Sequence, residues 1–234
     1  MSAGLLISQV EATPAMPRAR KVPGQRQVLI EGEAADLRGV LAWPEQPTGS
    51  VIVLGETARD GGEPALVARR LREAGLATLS VALPERPGRK PCLAQQLLAL
   101  AHWVARQPET ARLPVGVYAP DGAMIVATAA AMAEPAAIDA IVIRGGIPRG
   151  GHADLRGLHA ATLFLVESDD PRDALRTTAA LSGLHGDTLV VDLRRTRAPA
   201  DPLPYAELAA NRTAEWLVEH LSAQRTWRTR RLSK

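Results

Sequence analysis

From residue 50 to residue 193 the chain alternates short continuous apolar runs with longer stretches whose apolar residues recur every three or four positions. SVIVLGE, LATLSVALP, PVGVYA, IDAIVIRGG, ATLFLVES and TLVVDL are runs of the first kind, the pattern of strands buried on both faces of a sheet. Ahead of them, RQVLIEG and LRGVLAWP predict two short strands separated by polar EGEAAD residues, which suits an opening hairpin. A helix is predicted from about Pro64 to Ala74, with Pro64 in the first turn, Val67, Leu71 and Ala74 on one face, and Gly75 as its stop. Further helices are predicted over LAQQLLALAHWVARQ, the apolar stretch after Asp121, and PRDALRTTAALSG. A last one runs from about Pro204 to Leu221, with Tyr205, Leu208, Ala209, Trp216, Leu217 and His220 close to helical spacing. Strands joined by such helices must pair in parallel with right-handed crossovers. The expected fold class is therefore α/β: a doubly wound, mostly parallel, eight-stranded sheet with an N-terminal hairpin.

A length of 234 residues suits one domain. Residues 1–24 carry Pro14, Pro17, Pro23 and Gly24 without a sustained period and read as a flexible arm, leaving 25–222 as the folded unit. Residues 223–234 form a basic tail with Arg225, Arg228, Arg230, Arg231, Lys234 and no acid. That tail reads first as a solvated end and second as a docking segment for an acidic protein partner. With an aromatic share of 3%, the core must be built mainly from Leu, Val, Ile and Ala. A formal charge of +3, much of it in the two ends, is too small to predict a specific nucleic-acid ligand.

The single Cys92 allows no internal disulfide and no cysteine zinc site, and fits a reducing compartment. The first residues have a short apolar run followed by basic residues, the reverse of a secretory signal. No apolar run approaches the roughly 18–20 residues that span a bilayer. A cytoplasmic location without a membrane partner is expected. No cofactor or metal is expected either: Asp121, Glu56 and Asp170 have no histidine or cysteine companion, and GETARDGG lacks the Gly-Lys-Ser/Thr ending of a phosphate loop. A small-molecule ligand and a homodimer both remain open.

The chemistry concentrates at Ala119, Pro120, Asp121, Gly122 and Ala123, which join an apolar strand to an apolar helix. In a G-x-S-x-G elbow the nucleophile sits on a strained strand-to-helix turn, and the positions two before and two after it must be small. Small residues are kept here, but the serine is replaced by Asp121. A carboxylate can attack carbon to form an ester intermediate, so Asp121 is the candidate nucleophile. The N–H of Gly122, the following residue, is the candidate oxyanion donor.

The hairpin, the six further strands and this elbow together resemble the α/β-hydrolase fold. VARRLREAGLATLSVALP, PVGVYAPDGAMIVATAAA, IDAIVIRGGIP and ATLFLVESDD, within roughly residues 49–183, resemble small dienelactone-hydrolase-like proteins. The resemblance implies a serine at the elbow, a His-Gly pair after the third strand, an acid after ATLFLVES and a histidine after the last strand. The third-strand loop instead reads LGETARDGG, placing Glu56 and Thr57 at the binding position, with Glu56 and Asp60 adding negative charge that disfavours an anionic intermediate. Asp169 and Asp170 stand at the acid station; Asp170 aligns better, and both also suit the cap of the helix near Pro171.

The segment after TLVVDL, RRTRAPADPLPYAE, has no histidine before His220. Few other side chains can accept a proton at neutral pH. His102, His159 and His185 do not fall at the station, His152 alone is close enough in topology to be recruited, and His220 is expected to interact with the end of its helix or to pack there. RGGIPRGG reads as a glycine-shaped turn or as an anion site at the carboxyl edge. The implied function is that of a hydrolase-like protein with an incomplete triad, non-catalytic or weakly active, binding a small molecule or a partner. The alternative is an active hydrolase of ester, lactone or epoxide-type substrates, with Asp121 as nucleophile and Asp170 as supporting acid.

Overall fold

The computed structural model describes residues 23–31, 36–55, 62–83, 90–120, 122–147, 155–167, 170, 172–181, 186–196 and 205–232. Its eight strands are β1 (Gly24–Ile30), β2 (Leu37–Trp43), β3 (Ser50–Leu54), β4 (Ala77–Val81), β5 (Val115–Ala119), β6 (Ala140–Arg144), β7 (Ala161–Val166) and β8 (Thr188–Asp192). They form one sheet in the order β1-β2-β4-β3-β5-β6-β7-β8. The β1–β2 hairpin is antiparallel and joins β4 antiparallel, and every pair from β4 through β3 to β8 is parallel. This is the doubly wound sheet that the apolar runs predict. All five residues of β3, β4 and β5 are buried, which explains why those runs show no alternation.

Successive side chains point to opposite faces, so each central strand supplies two cores. Val51 and Val53 of β3 pack with Tyr118 and Val142 beneath α1 (Glu63–Glu73) and α6 (Tyr205–Leu232). Ile52 and Leu54 pack with Val117 and Ile141 beneath α2 (Lys90–Arg106) and α3 (Met124–Ala133). Pro64 stands in the first turn of α1, and its buried Val67, Ala68 and Leu71 form the inward stripe. α4 (Arg172–Leu181) packs on β7 and β8, and a short turn of helix, α5 (Leu193–Thr196), follows β8 directly.

α6 approaches the sheet closely because glycines line the strand side. A Cβ on Gly116 would stand 3.0 Å from Leu217 Cδ2, and one on Gly49 would stand 2.9 Å from Leu221 Cδ1. The sequence predicts an end at Leu221, but the helix continues to Leu232, so the boundary drawn at residue 222 falls inside it. The apolar face stops at Leu221, whereas helical backbone needs only the absence of a breaker, and no Gly or Pro occurs between Tyr205 and Leu232. Residues 1–22 of the predicted arm (1–24) lie outside the described residues, and Gly24 already begins β1. Among the described residues no helix is long and apolar enough to cross a membrane.

Candidate functional site

β5 delivers the chain to the carboxyl edge of the sheet, where Pro120 O accepts a hydrogen bond from Ala123 N at 3.0 Å. Gly122 takes a positive φ of 86°, and α3 begins at Met124 with Ala123 as its N-cap. A sharp strand-to-helix turn is therefore present where the small residues predict one. The left-handed backbone at Gly122 is tolerated because glycine has no Cβ. Gly122 N–H donates to no backbone carbonyl among the described residues. Asp121, Glu56, Thr57, Asp60 and Asp169 lie outside the described residues.

The exit of β3 touches this turn. Gly55 has φ 133°, and a Cβ there would stand 2.7 Å from Pro64 Cγ and 3.9 Å from Pro120 Cγ. The start of the third-strand loop, the first turn of α1 and the elbow thus meet at one point.

Beside that point lies a polar cluster that sequence reasoning missed. Arg144, the last residue of β6, donates from Nε to Glu63 Oε1 at 2.8 Å and from Nη2 to Glu167 Oε2. Tyr118 of β5 has no exposed surface, and its hydroxyl donates to the same Glu63 oxygen at 2.6 Å. Arg194 reaches Glu167 at 4.0 Å and lies 5.6 Å from the centroid of the Tyr205 ring. The Arg144 side chain is only 13% exposed and each glutamate 24%. Burial alone would lower the Arg144 pKa, but the Glu167 hydrogen bond and the charge and hydrogen bond of Glu63 outweigh it, so the pKa is raised. Its guanidinium is thus committed to two carboxylates, which weighs against the anion-site reading of RGGIPRGG at this arginine. Arg149 lies outside the described residues. The one sequence signal for the cluster is a charged residue closing each of the apolar runs AIVIR and LFLVE.

Asp170 performs the capping role. Its Oδ1 accepts from Arg172 N at 2.9 Å, its carbonyl accepts from Asp173 N at 3.0 Å, and its Oδ2 is 3.7 Å from Arg176 Nη1. Nearby, Thr177 of α4 accepts from Ile147 N at 3.2 Å, tying the loop after β6 to that helix.

The described imidazoles lie away from the elbow. α3 runs back from it for ten residues, about 15 Å of helix. His102 Nε2 meets Glu134, just past the far end of α3, at 2.9 Å. His159 is exposed and precedes β7. His220 shares a 2.9 Å hydrogen bond with Trp216 O, its ring centroid is 3.9 Å from that of Trp216, and its Nε2 is 3.7 Å from Asp187, just before β8. Because α6 continues for three further turns, His220 is a mid-helix residue bound to the preceding turn, not to a helix terminus. His152 and His185 lie outside the described residues.

No family model matches the chain. A protein of Mycobacterium tuberculosis, provisionally named a phosphoribosyl transferase in strains CDC 1551 / Oshkosh and ATCC 25618 / H37Rv, is 30% identical over 213 residues, covering 83% of this chain and 46% of that protein. The chain therefore spans about half the length of the curated relatives it matches. Among solved structures, dienelactone hydrolase from Anabaena variabilis superposes with a TM-score of 0.70 at 26% identity, covering 85% of this chain and 99% of that one. A cold-adapted esterase from an Arctic intertidal metagenomic library has a TM-score of 0.61 at 15% identity, covering 85% and 94%. Est1E from Butyrivibrio proteoclasticus also has a TM-score of 0.61 at 15% identity, covering 84% and 99%.

Proposed function

We propose that this chain, similar to dienelactone hydrolase and sharing the α/β-hydrolase fold, is a non-catalytic or weakly active protein binding a small molecule or a protein partner at the old catalytic edge. The observation that carries the reading is how the charged groups at this edge are used. Glu63 and Glu167 are bound to Arg144, and Asp170 caps α4, so these three carboxylates already serve structure. Histidines 102 and 220 are engaged about a helix or strand length from the elbow, too far to relay a proton there. With aspartate in place of serine, ester turnover has neither its usual nucleophile nor its usual base. Hydrolysis of short-chain aryl esters by the purified protein tests this: rates should equal those of buffer, and turnover that disappears in Asp121→Ala would overturn it.

A second reading keeps Asp121 as the nucleophile of an active hydrolase of ester, lactone or epoxide-type substrates. The turn supports it, because Gly122 holds its positive φ and offers its N–H beside that position. Incubation with an epoxide or a lactone should then add the full mass of the ring-opened substrate to the intact protein, and a haloalkane its mass less HX because halide leaves; an unchanged mass with all three would exclude it. A third reading is an interaction role that uses the basic end or the N-terminal arm. Co-purification with and without residues 224–234 tests whether the basic end carries such a contact.

A further inference from the structure

We propose that Arg144 is a positioning residue: from the end of β6 it clamps the first turn of α1 and the end of β7, with the strand that feeds the elbow tied in through Tyr118 and Glu63, and so fixes one wall of the candidate site. Three elements converge on its guanidinium and the carboxylates it holds. Glu63 comes from the start of α1, Tyr118 from β5 two positions before Pro120, and Glu167 from the residue after β7. A planar guanidinium donates along two directions at once, so one side chain spans the two carboxylates with both distances set. An ammonium in its place could satisfy only one of them well.

The charges balance within the set. Glu63 and Glu167 stand against Arg144 and Arg194, and the Arg194 contact carries the link on to Tyr205 at the start of α6. The closeness of Gly55 to both Pro64 and Pro120 gives the clamp its reach, because a shift of the first turn of α1 would move the β3 exit and the elbow together. Removing a whole buried ion set costs a protein little, whereas removing one member leaves an unpaired charge. That asymmetry separates positioning from bulk stability.

The test is amide hydrogen exchange on the full chain as wild type, Arg144→Met, Arg144→Lys, and the triple variant Arg144→Met/Glu63→Gln/Glu167→Gln, which removes the three least exposed charges and leaves only the more exposed Arg194. In Arg144→Met, amides of residues 62–66, 145–147 and 165–167 should exchange at least tenfold faster, while those of β2, α2 and α3 keep their rates. Arg144→Lys should fall between. The triple variant should regain the wild-type urea midpoint and still exchange fast at the three segments, and it decides the matter if Arg144→Met does not fold. Wild-type exchange at those segments in Arg144→Met or in the triple variant, or acceleration spread evenly over the chain, would overturn the proposal. The inference rests on reading this edge as the site. Exchange is measured without ligand, so its failure is distinct from any result with esters.

Discussion

The phenol of Tyr118 donates to Glu63 Oε1 at 2.6 Å, fastening the strand that leads into the elbow to the first turn of α1. The ring is wholly buried, so Tyr118→Phe keeps the packing and removes one hydrogen bond to a charged acceptor. Because Arg144 still holds the same oxygen, the loss should sit near the low end for such bonds, about 1.5 kcal/mol. A urea titration should show a lower midpoint at an unchanged slope.

Gly55 and Gly75 both have positive φ, at 133° and 85°, yet their surroundings differ. A Cβ on Gly75 meets nothing within 4 Å, whereas one on Gly55 meets a proline ring carbon at 2.7 Å. Gly75→Ala should cost only the backbone penalty, about 1–2 kcal/mol. Gly55→Ala should cost about 2 kcal/mol beyond that from overpacking against a rigid ring. Thermal unfolding of the two variants side by side measures the difference.

Leu217 and Gly116 form a knob and its seat. Leu217 is fully buried, so Leu217→Ala should cost about 2–5 kcal/mol. Adding Gly116→Ala in that background places a methyl group in the space left by Leu217, where it stood 3.0 Å from the Leu217 Cδ2 position. The double variant should therefore be more stable than the sum of the single changes predicts, by about 1 kcal/mol, in a double-mutant cycle.

Asp170 separates capping from catalysis. Asp170→Ala should lose about 1 kcal/mol of stability, and Asp170→Asn, which keeps a capping oxygen, only a few tenths. If Asp170 also oriented a catalytic base, Asp170→Asn would change whatever ester turnover the protein has. No such change is expected.

The strands were legible because burial on both faces leaves unbroken apolar runs, and the elbow because close backbone packing leaves small residues at neighbouring positions. Both signals are local. The Arg144 cluster was not legible: Glu63 lies 81 positions from Arg144, and an ion pair between distant residues leaves no periodicity. The end of α6 was misread for a different reason. Apolar spacing marks where a helix packs, and it falls silent at Leu221 while the backbone continues to Leu232. At Asp170 the sequence offers an acid with two compatible uses, and the bond from Arg172 N shows the capping one.

The proposed function requires that no imidazole serves Asp121; among the described residues His102, His159 and His220 lie away from the elbow. The chain has five histidines, and their ring nitrogens report individually by NMR. Spectra of the wild type and of Asp121→Asn should be superimposable in the ring-nitrogen region. A histidine whose tautomer or titration changes when the Asp121 charge is removed would place a base beside that residue and contradict the account.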